Sequence, residues 1–119
     1  MAVRREVLGD EYVDRALAAA GDDLGKGFQQ LITEFAWGAG WSEGVLERRQ
    51  RSLVTIAIVG ALNRAAELRI HVRAALRNGC SREEIADVLT QLTLYAGAPA
   101  GVDGFRIAGE VFAEADSEG

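Results

Sequence analysis

The longest apolar run in the chain is LVTIAIVGAL, residues 53–62, which follows the charged segment ERRQRS, residues 47–52. Alternation of apolar and polar residues, which marks a half-buried strand, is not sustained here or elsewhere. We therefore predict a helix from about residue 47 to residue 62. Because this helix is apolar almost all round after Ser52, it needs cover on every side. One chain of 119 residues supplies that cover only if the helix is central or lies at a subunit interface.

Two helices are predicted before this run. The first begins at Asp10, a good N-cap, and ends near Gly21. The second has an apolar stripe at the i, i+3, i+4, i+7 spacing of one helix face. The stripe consists of Phe28, Leu31, Ile32 and Phe35. Two glycines in the segment 38–40 are expected to break this helix, because glycine disfavours the helical backbone.

Two more helices are predicted directly after the run. Asn63 is expected to cap a fourth helix, which stops at Gly79. The fifth helix has the clearest start signal in the chain, a capping box with staple positions around it. The four residues of this signal are Cys80, Ser81, Glu84 and Ile85. Packing at the hydrophobic staple position explains the presence of Cys80 without a catalytic role. The fifth helix is expected to end at Gly97.

The last helix is predicted from about Pro99 to Ala115, and the tail 116–119 is expected to fray. The residues expected to face inward on the fifth helix are Ile85, Val88, Leu89, Leu92 and Tyr95. Those on the last helix are Val102, Phe105, Ala108, Val111 and Phe112. The predicted fold class is all-α, with about six helices in a single domain that spans residues 1–119.

Composition excludes several classes of protein. Hydrophobic residues make up 49% and charged residues 26%, as in a soluble globular domain. The net charge of -5 argues against nucleic acid held by bulk electrostatics. The ten-residue apolar run is too short to cross a membrane, and the amino terminus has no secretory signal pattern. A single cysteine forms no intrachain disulfide, so a reducing cytoplasm is the expected compartment.

The charged start of the third helix is a candidate anion site. Arg48 and Arg51 lie three apart and share a helix face, beside amide hydrogens that the first turn leaves free. The alternative interpretation is a solvated basic turn that pairs with local acids. Spacing alone favours this alternative, and both interpretations stay open at this point.

Glu67 and His71 form a candidate proton-transfer pair. They lie four apart on the fourth helix, so their side chains can meet. The carboxylate is expected to orient the imidazole and raise its pKa. The alternative is a purely structural pair. Because His71 is the only histidine, a metal site built from histidines is not expected.

Three large aromatic residues stand at helix junctions. Trp37 and Trp41 flank the glycine break, and Tyr95 closes the fifth helix. Such residues are usually core anchors, and alternatively they wall an apolar pocket that holds a ring. The chain has no phosphate loop, no dinucleotide fingerprint and no GxSxG elbow, which excludes nucleotide-binding and serine-hydrolase interpretations of those types.

An ordered set of blocks across nearly the whole chain resembles the γ-carboxymuconolactone decarboxylases. The blocks are EVLG at 6–9, VxR at 13–15, FAWG at 35–38, WS at 41–42, RxxRSLVTIAI at 48–58, ELRxHxRA at 67–74 and LYAGxPA at 94–100. The resemblance implies a helical hairpin core that assembles into a ring, a hexamer or a trimer. It also implies cofactor-independent decarboxylation of 4-carboxymuconolactone, a small anionic lactone, to 3-oxoadipate enol-lactone in protocatechuate catabolism.

The resemblance assigns roles to the candidate residues. It implies that His71 is the general acid, oriented by Glu67, and that Arg48 and Arg51 bind substrate carboxylates. Trp37, Trp41 and Tyr95 then enclose the substrate ring. The wider superfamily contains thiol peroxidases that need a CxxC motif before the histidine. Counted back from His71, those positions are Arg64 and Glu67, so thiol peroxidase chemistry is not expected.

One loop departs from the family pattern. Members usually carry Arg-Pro-Gly-Leu after the second tryptophan, whereas this chain has EGVL at 43–46, and Ala39 stands where an acid is often found. Two alternatives follow from this change. One is a paralogue that acts on a different small carboxylic acid or lactone. The other is a non-catalytic oligomeric protein that binds a ligand.

Overall fold

The computed structural model describes residues 1–21, 23–42 and 44–118, and these ranges are helical without any strand. The helices are α1 Ala2–Leu8, α2 Asp10–Ala20, α3 Asp23–Ile32, α4 Arg48–Ala61, α5 Ala65–Arg77, α6 Arg82–Ala96 and α7 Ala98–Glu118. A π-helical segment, Thr33–Gly40, directly follows α3. The all-α prediction is confirmed, and α1 is a helix that the sequence patterns did not predict.

The chain forms two compact units, Met1–Arg48 and Arg49–Gly119, called here the amino-terminal and carboxy-terminal units. In the amino-terminal unit α1 packs on α2 and on the π-helical segment, and α2 packs on α3. Its buried apolar side chains are Val7, Val13 and Trp37. The single domain predicted for residues 1–119 stays a prediction.

The predicted glycine break lies later than expected. The helical backbone continues through Gly38 and ends at Gly40, with the Trp41 N–H donating to the Ala36 carbonyl at 3.0 Å. This i to i+5 bond widens the turn, so the two glycines are accommodated inside a helix. The predicted apolar stripe on α3 does not form the core of this unit, because Phe28, Leu31 and Phe35 are exposed.

In the carboxy-terminal unit, α7 packs along both α5 and α6. The core takes side chains from all four helices. They are Ile56 of α4, Leu68, Val72 and Ala75 of α5, Ile85, Leu89 and Leu92 of α6, and Ala100, Ile107, Ala108 and Val111 of α7. Close contact between α6 and α7 depends on glycine, because a Cβ at Gly101 would lie 2.0 Å from Thr93 Oγ1.

The start of α6 matches its prediction. The Glu84 N–H donates to Ser81 Oγ at 3.0 Å, and the Ser81 N–H donates to Glu84 Oε1 at 2.9 Å. Cys80 and Ile85 are both buried at the staple positions. The predicted cap of α5 is wrong by one residue, because Asn63 takes a positive φ of 59° and Arg64 is the N-cap.

The predicted inward faces of α6 and α7 are partly wrong. Tyr95 is 84% exposed, Val102 67% and Phe105 46%, whereas Ala108 and Val111 are buried as predicted. The buried stripe of α7 instead begins with Ala100, Gly101 and Gly104. These small residues let the helices approach closely, which turns the larger apolar side chains outward.

The carboxyl-terminal tail does not fray at residue 116. Helix α7 continues to Glu118, and Asp116 and Glu118 form ion pairs with Arg82 at 2.5 Å and with Arg73 at 3.1 Å. These contacts with α6 and α5 hold the last turn in the helix. Across the ranges that the structure describes, no helix has the length and apolar character needed to span a membrane.

Candidate active site

Glu67 and His71 lie on one side of α5, one helical turn apart, as their spacing predicted. Leu68, Val72 and Ala75 bury the adjacent side of α5 in the core, so His71 lies at the margin of that core and is partly buried. Its Nδ1 atom is shielded from solvent, whereas Glu67 is exposed. The arrangement places one titratable ring between an apolar interior and a surface carboxylate.

Burial lowers the pKa of the His71 imidazole, and the negative charge of Glu67 raises it by a smaller amount. Glu67 therefore raises this pKa as predicted, but desolvation of the ring is the larger effect, so the net shift is downward. In the free protein the neutral imidazole is favoured at neutral pH. A neutral imidazole carries one N–H donor and one acceptor nitrogen, which suits either hydrogen bonding to a developing anion or proton exchange with it.

Two arginines hold α5 in place around His71. Arg73 donates to Glu114 at 2.6 Å and to Glu118 at 3.1 Å, and Arg69 pairs with Glu110 and, at 3.1 Å, with Glu114. The three glutamates recur every four residues along α7. The sequence patterns did not single out this set, although the matching four-residue spacing of the arginines and the acids is visible in the chain.

Arg48 has a local acidic partner, as the alternative interpretation of the basic turn supposed. Its Nη1 atom lies 2.5 Å from Glu6 Oε2 within the amino-terminal unit. Arg49 pairs with Glu84, and the Ser81 N–H together with Arg49 lowers the pKa of that carboxyl. Arg51 is partly buried on α4, and its carbonyl accepts a hydrogen bond from Thr55 Oγ1 at 2.8 Å. The anion-binding roles of Arg48 and Arg51 stay predictions.

The two tryptophans form one aromatic surface in the amino-terminal unit. Trp37 is 6% exposed, and its ring stacks on Trp41 with centroids 5.4 Å apart and planes inclined by 28°. Ser42 Oγ donates to the Trp37 carbonyl at 2.6 Å, which holds the turn beside the rings. Trp37 is thus a core anchor. Tyr95, in the carboxy-terminal unit, is too exposed to be one.

The departure from the family pattern after Trp41 is only partly visible. Glu43 and the side chain of Ala39 lie outside the residues that the structure describes. Val45, two residues after Glu43, is 98% exposed. The effect of the changed loop on ligand choice stays a prediction.

Cys80 has the environment of a structural thiol. It is buried, and its Sγ donates to the Arg49 carbonyl at 3.3 Å. Burial, assisted by the negative charge of Glu84, raises the pKa of this thiol. A protonated, enclosed thiol is a poor nucleophile, which agrees with the packing role inferred from the capping box.

Comparison with known proteins now identifies the family. Residues 26–110 match the model of the carboxymuconolactone decarboxylase family. The chain is 46% identical over 110 residues to 4-carboxymuconolactone decarboxylase of Acinetobacter baylyi, covering 92% of this chain and 81% of that protein. It is 40% identical over 101 residues to nitrosuccinic acid decarboxylase of Metarhizium robertsii, covering 85% and 70%. The family model and the blocks around Trp37, Arg51 and His71 agree, and the chain belongs to the carboxymuconolactone decarboxylase family.

Proposed function

We propose that this protein is a carboxy-lyase that converts 4-carboxymuconolactone to 3-oxoadipate enol-lactone in protocatechuate catabolism. The observation that carries the proposal is the 46% identity to the 4-carboxymuconolactone decarboxylase of Acinetobacter baylyi over 92% of this chain. The partly buried His71 beside Glu67 supplies a titratable group of the kind that the reaction needs.

The substrate carries its own electron sink. Its leaving carboxylate is attached to the ring carbon that bears the lactone oxygen, and a ring double bond connects that carbon to the lactone carbonyl. When the bond to the carboxylate breaks, carbon dioxide leaves and the electron pair spreads through the double bond to the carbonyl oxygen. A proton then adds to the carbon beside the carbonyl, which completes the enol-lactone. The protein has to stabilise the dienolate and deliver that proton.

His71 is the proposed proton donor, with Glu67 as its positioning residue. Although burial favours the neutral ring in the free protein, a dianionic substrate beside the ring adds negative charge that favours the imidazolium. Substrate binding therefore prepares the acid for the step that consumes it. In the neutral form, the ring N–H still donates to the developing enolate.

Arg48 and Arg51 are the proposed cations for substrate carboxylates. Arg48 lies 2.5 Å from Glu6, so a substrate carboxylate at Arg48 would compete with that acid. Cations that bind carboxylates equally in the ground state and the transition state lower KM without raising kcat. The aromatic rings of Trp37, Trp41 and Tyr95 are proposed to enclose the apolar ring of the substrate.

A second candidate is decarboxylation of another small acid. It is favoured by the 40% identity to nitrosuccinic acid decarboxylase and by the changed loop that includes Glu43. Nitrosuccinic acid also has an electron sink beside a carboxylate, since its nitro group can accept the electron pair as a nitronate. The same proton donor serves either acid.

We also propose that copies of this chain assemble into a ring, a hexamer or a trimer. Three exposed apolar residues recur every four positions, Val54 and Ile58 on α4 and Leu62 directly after it. An exposed apolar stripe of this kind is typical of a surface that a partner covers. The single cysteine fits a reducing cytoplasm, and the net charge of -5 disfavours a nucleic-acid partner.

The test is to incubate the purified protein with 4-carboxymuconolactone and follow ultraviolet absorbance, with nitrosuccinate in a parallel reaction. Light scattering on the same sample gives the number of copies. Turnover of the lactone with kcat/KM well above that for nitrosuccinate supports the main proposal. Preference for nitrosuccinate supports the second candidate, and turnover of neither acid favours the non-catalytic alternative.

A further inference from the structure

The carboxy-terminal unit contains a cleft that is lined by none of the residues proposed above for catalysis or substrate binding. It has a cavity volume of about 30 Å³ and lies between the end of α4, the start of α5 and α7. Its apolar floor includes Val59, Leu68 and Ile107, and its polar rim consists of Asn63, Arg64 and Asp103. A volume of this size holds about two water molecules, so the cleft suits one carboxylate group and not a complete small acid.

Arg64 gives the cleft a cation that is available to a ligand. Arg69, Arg73, Arg82 and Arg106 of the same unit all form ion pairs with acids of α7. Within the described residues 49–118, no ion pair joins Arg64 to an acid. The other charge on the rim, Asp103, has Arg106 at 3.8 Å, which reduces its repulsion of an anion.

The cleft includes the start of α5, the helix that carries the proposed proton donor. Arg64 is the N-cap of this helix and precedes His71 by seven residues. Seven residues of helix correspond to about 10 Å along the axis. A flexible arginine side chain and a small dicarboxylate can together span that distance, with the reacting carbon towards His71.

We propose that the Arg64 cleft binds the carboxylate that the substrate keeps. The inference rests on the proposed function. Both acids in the names of the relatives, 4-carboxymuconolactone and nitrosuccinic acid, carry two carboxylates and lose one by decarboxylation. The retained carboxylate keeps its charge throughout the reaction, so a guanidinium bound to it does not oppose formation of neutral carbon dioxide. Arg64 therefore selects small dicarboxylates with an electron sink beside one of the two groups.

The experiment compares Arg64→Gln and Arg64→Lys with the control Arg82→Gln, which removes an exposed, ion-paired arginine that does not line the cleft. With the lactone as substrate, Arg64→Gln is expected to raise KM by about tenfold or more and to change kcat much less, as for loss of a charged hydrogen bond. Arg64→Lys keeps the positive charge, so its KM is expected to lie between those of wild type and Arg64→Gln. The control is expected to match wild type.

Succinate and propionate serve as probes that need no turnover. Wild type is expected to bind succinate more tightly than propionate by calorimetry, and Arg64→Gln to lose that preference. If wild type turns over the lactone and Arg64→Gln has an unchanged KM, the inference is wrong and the proposed function stands. If wild type turns over neither acid, the proposed function is wrong, and the binding of succinate tests the cleft by itself. Loss of the preference for succinate in Arg64→Gln supports the Arg64 cleft as a carboxylate site, and an unchanged preference overturns it.

Discussion

Glu67 lies one turn before His71 on α5, and the attraction between their charges opposes, without overcoming, the lowering of the His71 pKa by burial. In an exposed ion pair the carboxylate would have the larger effect and would raise the histidine pKa, whereas here burial has the larger effect and lowers it. It also means that the charge of His71 responds to any anion that binds beside it. The proposed catalytic cycle depends on that response.

The first prediction concerns the pKa of His71. Because His71 is the only histidine, its ring resonances are unambiguous in a proton NMR titration. The pKa is expected to lie below 6.5, and Glu67→Gln is expected to lower it further by removing the neighbouring negative charge. A value at or above 6.5 in wild type, or an increase in Glu67→Gln, would contradict the assigned balance.

The second prediction concerns stability against pH. His71 has a lower pKa in the folded state than in the unfolded chain, so the unfolded state binds more protons as the pH falls below about 6.5. Its contribution to the free energy of unfolding is therefore present above pH 6.5 and is lost as the pH falls through the folded pKa. Urea titrations at a series of pH values give the free energies of unfolding of wild type and His71→Gln. The difference between these two free energies should change as the pH falls below about 6.5. A constant difference would show that the folded pKa is not lowered.

The third prediction concerns the contact between α6 and α7. A Cβ at Gly101 would lie 2.0 Å from Thr93 Oγ1, and the hydroxyl is fixed because it donates to the Leu89 carbonyl at 2.7 Å. Gly101→Ala is therefore expected to lower the free energy of unfolding by about 1–3 kcal/mol. The matched control is Gly109→Ala on the same helix, where a Cβ meets nothing within 4 Å and about 0.5–1 kcal/mol of stabilisation is expected. Equal effects of the two changes in thermal and urea unfolding would refute this packing.

The fourth prediction concerns Cys80. Since its thiol is buried and its pKa is raised, it should react with an aromatic disulfide reagent far more slowly in the native protein than in urea. Cys80→Ala should leave turnover of the lactone unchanged after correction for the folded fraction. Rapid native labelling, or loss of kcat in a folded Cys80→Ala protein, would give the thiol a role that its environment does not support.

Local signals were predicted more accurately than tertiary ones. The capping box of Ser81 and Glu84 depends on residues three apart, so the sequence contains all the information that determines it. The face of α7 depends on how closely another helix can approach. Gly101 and Gly104 decide this, whereas apolarity alone pointed to Val102 and Phe105.

The candidate site shows the same division. The i, i+4 spacing predicted that Glu67 and His71 share a side of α5, but the direction of the His71 pKa shift depends on burial, which spacing does not report. Likewise, the partner of Arg48 is Glu6, which lies 42 positions away in the chain. Arg64 entered the sequence argument only as a residue that replaces a thiol, and its place on a cleft required the packing of α4, α5 and α7.

The most direct test of the account is the steady-state kinetics of His71→Asn with 4-carboxymuconolactone, beside wild type and with helicity checked by circular dichroism. If His71 delivers the proton to the dienolate, kcat should fall by about a hundredfold or more while KM changes little. An equally helical His71→Asn protein that turns over the lactone at the wild-type kcat would contradict the assignment.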